Sequence, residues 1–355
     1  MKKIFFTPGP TQIYPSVPKH IHDAVENDIC SISHRGRDFE NIFLNASDAL
    51  KHLLNIPKDF HIFFLSSATE AMERIIQNLV ELHSFHFVNG AFSKRFFSIA
   101  QDLKKDTEKI EAGFGKGFDF ASLKIPKKTE LICFTQNETS TGTNVVMEDI
   151  YKIKRKNTDK LAAADIVSSV PYVNVDYSLV DCAFFSVQKG FGLPAGLGVL
   201  MANEKCIEKA KYLQDNNYNI GSSHNFLSLL KNAEKNQTLE TPNILNMYIL
   251  GKVCEELNKV GIEKIRKDTE KKAEMIYNFF DNHSLYKPFV ENREIRSKTV
   301  IVINTPNGSQ ELIKRLTEKG FVVGSGYKEY KDKQIRIANF PMHKSEDIER
   351  MLKLI

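Results

Sequence analysis

Apolar bursts that alternate with helix-period stretches constrain this chain more than any other feature. HIFFLS (61–66) reads as a buried strand, and SSATEAMERIIQNLV (66–80) as a helix. FHFVNG (85–90) is a second strand, followed by the helix-like FSKRFFSIAQDL. ELICFTQNE (130–138), LAAADIV (161–167) and DCAFFSVQ (181–188) are further strands. Such βαβ alternation predicts an α/β fold, a mostly parallel sheet with helices on both faces. The texture changes near residue 245. A long charged helical stretch (243–282) leads to strands KTVIVIN (298–304) and QIRIANF (334–340), the pattern of a smaller α+β domain. At roughly 150 residues per domain, 355 residues suit two. We divide the chain into an extended, proline-rich N-terminal arm (1–15), a large domain (16–245) and a small C-terminal domain (246–355).

Composition narrows the function classes. With 42% hydrophobic and 26% charged residues the chain folds rather than stays disordered. The net charge of +5 is small and its lysines and arginines are spread out, which argues against a nucleic-acid partner and suits anionic small ligands. The five cysteines (Cys30, Cys133, Cys182, Cys206, Cys254) fall at no metal-like spacing. They read as reduced thiols of a cytoplasmic protein, with no metal site. The start, MKKIFFTPGP, has too short an apolar run for a signal sequence, and no window reaches the length of a membrane span.

Several residues invite chemistry. Lys189 follows Ala183, Phe184, Phe185 and Val187 and precedes a glycine-rich turn. A lysine half buried there either snorkels to water or forms a Schiff base. Asp165 ends an apolar strand 24 residues earlier, either as a cap or as the partner of a cation. In a parallel sheet both residues reach the carboxyl-end crevice where ligands bind. Ser67 and Glu70 fit a capping box, and the same helix start, with Thr69, is also a phosphate site. The polar loop QNETSTGTN (136–144) opens on the same edge. Phe92 is a core ring or a stacking platform, and Arg336 an edge arginine or a carboxylate clamp. The glycine cluster GFGKGF (113–118) follows no clear strand and is set aside as a dinucleotide motif.

FTPGPT (6–11), ISHRGRDF (32–39), SSATEAME (66–73), NGAFSKR (89–95), NETSTG (137–142), ADIVSS (164–169), SVQKGFGLPAGLGV (186–199), LETP (239–242) and QIRIANFP (334–341) occur in one order along the chain. Together they resemble the class V branch of the fold-type I pyridoxal-phosphate-dependent aminotransferases. The resemblance implies a large domain with a mostly parallel seven-stranded sheet, a smaller C-terminal domain, pyridoxal 5'-phosphate as cofactor, and amino and keto acids as substrates. It implies that Lys189 is the Schiff-base lysine and that Asp165 pairs with the pyridinium nitrogen. Phe92 and Val167 would cover the two faces of the ring, and Thr139 would bond near its phenolic oxygen. Ala68, Thr69 and Gln188 would hold the phosphate, joined by Thr241 from the partner of a homodimer. Arg336 would clamp the substrate α-carboxylate.

Within the class, ISHR followed by Phe39 resembles the phosphoserine-acting subgroup, in which His34 and Arg35 would bind the substrate phosphate. Two departures bear on the substrate. SSATEAME replaces that subgroup's arginine-containing phosphate loop and resembles the alanine– or serine–glyoxylate enzymes. Tyr327 and Lys328 replace a His-Arg pair, so Lys328 would act as a point charge with less directional control.

Overall fold

The computed structural model describes residues 3–355. Seven strands form the larger sheet: β1 (His61–Leu65), β2 (His83–Val88), β3 (Asp106–Glu111), β4 (Leu131–Thr135), β5 (Leu161–Asp165), β6 (Cys182–Ser186) and β7 (Gly198–Ala202), in the spatial order β1-β7-β6-β5-β4-β2-β3. β7 runs antiparallel to both its neighbours, and every other pair is parallel.

β6 shows why the sheet reads as continuous apolar runs. Every one of its residues is buried, with Phe184 in the cluster on one face and Phe185 in the cluster on the other. A sheet covered on both faces has no polar side to alternate with. Each buried phenylalanine contributes about 1.5–3 kcal/mol. The helix Ala68–Leu79 forms for complementary reasons. Ser67 caps it by accepting from Glu70 N at 3.1 Å, and Ala68, Ala71, Met72, Ile75, Ile76 and Leu79 make one buried stripe.

Two strands differ from the sequence expectation. β3 (DTEKIE) is a charged edge strand, which carries no apolar signal, and β7 lies in the GLGVLMA run after the glycine-rich turn. The expected strand 130–138 ends at Thr135. Asn137–Glu138 then turns back to pair with Thr143–Asn144. The Ser67–Glu70 box is also altered: Glu70 Oε2 accepts from Ser66 N and Oγ, one residue ahead of the cap.

A second sheet of five strands runs Ile4–Phe6, Phe321–Ser325, Gln334–Ala338, Val300–Asn304, Lys287–Pro288. The N-terminal segment is extended as expected, and its strand pairs in parallel with Phe321–Val323. The charged helical stretch from 243 is two helices, Ile244–Val260 and Ile262–Asn282, divided at Gly261. The 137–144 loop meets the second sheet's unit, where Ser297 N donates to Gly142 O at 2.9 Å, and so does Ser168 just past β5, whose carbonyl accepts from Thr299 Oγ1. Among the described residues, no helix is long and apolar enough to cross a membrane.

Candidate active site

The parallel register brings the strand ends together. Thr135 lies beside Asp165, and Asp165 beside Phe184, so β4, β5 and β6 finish on one edge. The helix Ala68–Leu79 starts at that edge too, just after β1. These ends enclose a cavity of about 250 Å3 whose lining includes Ala68, Thr69, Phe92, Thr139, Asp165, Val167, Gln188 and Lys189. Eight candidates spread over 120 residues of sequence therefore share one wall. A larger groove of about 840 Å3 runs along the N-terminal segment from Lys3 to Pro18, but no carboxylate lines it. Asp165 and Lys189, the candidate acid and base, both line the smaller cavity.

Lys189 is 8% exposed, and its Nζ donates to Pro8 O at 2.7 Å and stands 5.8 Å from the centre of the Phe92 ring. A side chain on Gly9 would overlap the outer atoms of Lys189, so the N-terminal backbone packs directly against the amine. Gly190 is equally confined, because a Cβ there would run into Val170 O. Burial, and then the positive charge of Arg336, lower the Lys189 pKa to about 8. Asp165 is 3% exposed; its Oδ1 accepts from Val167 N at 3.0 Å and its Oδ2 from Thr135 Oγ1 at 3.4 Å. Burial raises the Asp165 pKa to about 7. A base and an acid are thus both driven toward neutrality in one cavity, the condition under which each can change protonation state during a reaction.

The helix start forms the polar end of the cavity. Ala68 N donates to Ser186 Oγ at 2.9 Å, which leaves that hydroxyl's own proton free. Gln188 Oε1 is buried without a hydrogen-bond partner. A buried amide oxygen left unpaired is costly, which marks it as a group meant to bind something. Behind this end, Glu70 bonds His224 Nδ1 and the Ser66 backbone, and these contacts hold its carboxyl down at about 2.

Arg336 stands on the small-domain side. Its Nε donates to Ser325 O at 2.8 Å and its Nη1 to Thr139 O at 3.3 Å, and among the described residues it enters none of the arginine ion pairs. Thr139 Oγ1 donates to Ser168 Oγ at 2.8 Å. Sequence reasoning named Thr139 but missed its neighbour Glu138, which is fully buried and accepts from Phe92 N, Ser93 N and Ser140 N. That carboxylate caps the helix Ala91–Asp102 and so sets the position of Phe92. A lone carboxylate beside a polar loop was the available signal.

Besides Arg336, four candidates lie outside the cavity lining. His34 Nδ1 lies 3.4 Å from Thr241 Oγ1, on the outer face. Arg35 is exposed and donates to Thr238 O at 2.6 Å, Leu239 O at 2.7 Å, Asn232 Oδ1 and Gln237 Oε1. It therefore brackets the very loop that presents Thr241. Lys328 is exposed at a left-handed turn position with φ of 49°. Among the described residues, no cluster of His, Cys, Asp and Glu could hold a metal.

Residues 4–350 match the family model of the class V aminotransferases. The chain belongs to that family. It is a transaminase, built on the fold of the pyridoxal-phosphate enzymes of fold type I. A curated phosphoserine aminotransferase of Rhodococcus opacus (strain B4) is 24% identical over 354 residues, which span 98% of this chain and 92% of the relative. The solved phosphoserine aminotransferase of Cytophaga hutchinsonii is 46% identical, with a TM-score of 0.98 covering 99% of this chain and 98% of that one. An alanine–glyoxylate aminotransferase from a Nostoc species shares the fold, with a TM-score of 0.80 at 20% identity over 100% of this chain and 94% of the other.

Proposed function

We propose that this transaminase binds pyridoxal 5'-phosphate in the Lys189 cavity and moves the amino group between L-phosphoserine and 2-oxoglutarate. The observation that carries the cofactor reading is the cavity itself: a buried lysine with its pKa lowered to about 8 and a buried aspartate share it with a glutamine whose amide oxygen is unpaired. The residues fit the cofactor. Lys189 would carry it covalently, and Asp165 would face its ring nitrogen. Phe92 and Val167 would flank the ring, and Thr139 would lie near its phenolic oxygen. Gln188, Ala68 and Thr69 would hold the phosphate at the helix start, where the dipole favours an anion. A half-turn of the Gln188 amide presents its NH2 to that phosphate, and the free Ser186 hydroxyl proton adds a donor.

When bound, the cofactor supplies an aldehyde for amines and a ring that accepts the electron pair left at Cα. The protein's own work is to hold and move protons. Asp165, facing the cofactor's ring nitrogen, would ionise and hold a proton there. Lys189 Nζ, with a pKa near 8, can take the substrate Cα proton and return it. Arg336, free of any carboxylate, would take the α-carboxylate shared by every substrate.

The substrate reading rests on the 46% identity to a solved phosphoserine aminotransferase over nearly the whole chain. A dimer is part of it. His34, Arg35 and Thr241 gather on an outer face, so they would serve a second copy's cavity, His34 and Arg35 toward the phosphoserine phosphate and Thr241 toward the cofactor phosphate. Arg35 spends its donors on neutral acceptors, so its full positive charge remains for an anion, and Lys328 would add a point charge. Four of the five cysteines are buried as free thiols, which suits a cytoplasmic protein.

One observation favours a second reading: the helix start Ser67–Ala68–Thr69 carries no arginine, as in glyoxylate-using relatives. A panel of phosphoserine, serine and alanine against 2-oxoglutarate, pyruvate and glyoxylate separates the two. Phosphoserine with 2-oxoglutarate should be the fastest pair. Alanine with glyoxylate as the fastest would replace this reading with the second.

A further inference from the structure

Two carbonyls and one ring hold the Arg336 guanidinium. Its Nε bond to Ser325 O is 2.8 Å, but its Nη1 bond to Thr139 O, at 3.3 Å, lies near the weak end of the range. Both bonds act in the plane of the guanidinium and leave it free to tilt. The third contact opposes that tilt: Arg336 Cζ stands 5.5 Å from the centre of the Tyr327 ring. An aromatic face attracts the cation and fits its flat shape.

Tyr327 is itself well fixed. Gly326 N donates to Gln334 O at 2.7 Å, and Tyr330 N donates to Tyr327 O at 3.0 Å, which closes the turn on both sides of the residue. Phe114, from the glycine cluster that the cofactor site leaves unused, stacks on Tyr330 at 5.6 Å and 16° and braces the turn from outside. Inward, the Tyr327 ring lies 5.8 Å from the Phe92 ring, which in turn faces Lys189. The tyrosine therefore links the arginine wall of the site to the ring wall.

We propose that Tyr327 is a positioning residue for substrate recognition, whose ring holds the Arg336 guanidinium flat so that its unengaged Nη2 meets the substrate α-carboxylate. The proposal rests on the clamp role given to Arg336 above. It assigns the effect to the aromatic face and not to the hydroxyl. Because every substrate carries the α-carboxylate, the loss of the ring should weaken them all alike and leave the chemical step in place.

The test compares Tyr327→Phe and Tyr327→Leu with Arg336→Ala in the holoenzyme. The readouts are KM and kcat for both half-reactions, and the Kd of glutarate, a dicarboxylate that cannot react, by calorimetry. Tyr327→Leu should raise every KM and the glutarate Kd roughly fivefold to thirtyfold, with kcat within about twofold. Tyr327→Phe should stay within about twofold of wild type, since the ring is kept. If the leucine variant does not fold, Tyr327→Gln repeats the test without a π face. If Arg336→Ala raises every KM while the ring-less variant leaves them unchanged, the Tyr327 proposal alone is overturned. A phenylalanine variant as impaired as the leucine one overturns it too, because the hydroxyl would then be the active part. If Arg336→Ala spares every KM, the clamp reading falls and this inference falls with it.

Discussion

Lys189 and Arg35 are both cations outside every ion pair among the described residues, yet they stand in opposite settings. Lys189 is sealed in a cavity against Pro8, Gly9 and Phe92, and its charge is weakened by burial. Arg35 is exposed and spends its donors on a loop about 200 residues away in sequence. The first setting favours a change of protonation state. The second favours a fixed charge that builds a surface. Under the proposed reading, a site assembled from both kinds would divide its labour: the cavity of one chain would do the proton chemistry, and the outer face of a second copy would supply anion recognition.

Substitutions in the two regions should separate these roles. The largest effect belongs to the cavity. Lys189→Ala should lower turnover by at least about a thousandfold, the scale of a lost general base and covalent anchor. Steady-state assays with excess cofactor read this directly. Asp165→Asn should follow, with turnover down roughly tenfold to a hundredfold while the cofactor is retained, since a charge-assisted contact is lost but the shape is kept. Absorbance of the washed protein checks retention, and near-normal turnover would remove Asp165 from the site.

Arg35→Ala probes the outer face and should split differently. Loss of its charge should raise the KM for phosphoserine about tenfold, and loss of its bracket on residues 237–241 should loosen the cofactor through Thr241. The Kd of pyridoxal phosphate, measured beside KM, reads both. An effect on neither would return Arg35 to a surface role and erase the contrast between the regions.

The smallest effect is a pH dependence confined to the cavity. An amine attacks an aldehyde only when uncharged, and burial with the Arg336 charge brings the Lys189 pKa down from 10.5 to about 8. The rate at which cofactor-free protein takes up pyridoxal phosphate should therefore rise through about pH 8 and then level off. For an unshifted lysine the rise would continue to pH 10. Stopped-flow absorbance across pH 6.5–10 distinguishes the two.

Much of the cavity was legible before any coordinates because its strands are buried on both faces. Each strand reads as an apolar run, and the polar residue just past its end, Asp165 or Lys189, stands out. The edge strand Asp106–Glu111 was not legible, because a solvent-facing edge is protected by charge and loses the strand signature. Gly261 divides a stretch that reads as one charged helix, and only the chain's actual turn reveals the break. The bracket role of Arg35 was hidden for another reason: its acceptors are mostly backbone carbonyls and amides remote in sequence, and no local pattern encodes them. Tyr327 was noted only as a departure from a relative's His-Arg pair. Its contact with Arg336 depends on a turn and a strand meeting in space.

The claim on which the rest depends is that Lys189, among the chain's buried lysines, carries the cofactor. Lys154, Lys160 and Lys272 are also buried, but each donates to backbone carbonyls away from the cavity. Borohydride treatment of the protein with pyridoxal phosphate, followed by proteolysis and mass spectrometry, locates the modified residue. The account predicts one phosphopyridoxyl mass per chain, on the peptide that contains Lys189. Modification of another lysine in its place, or none at all, would contradict it.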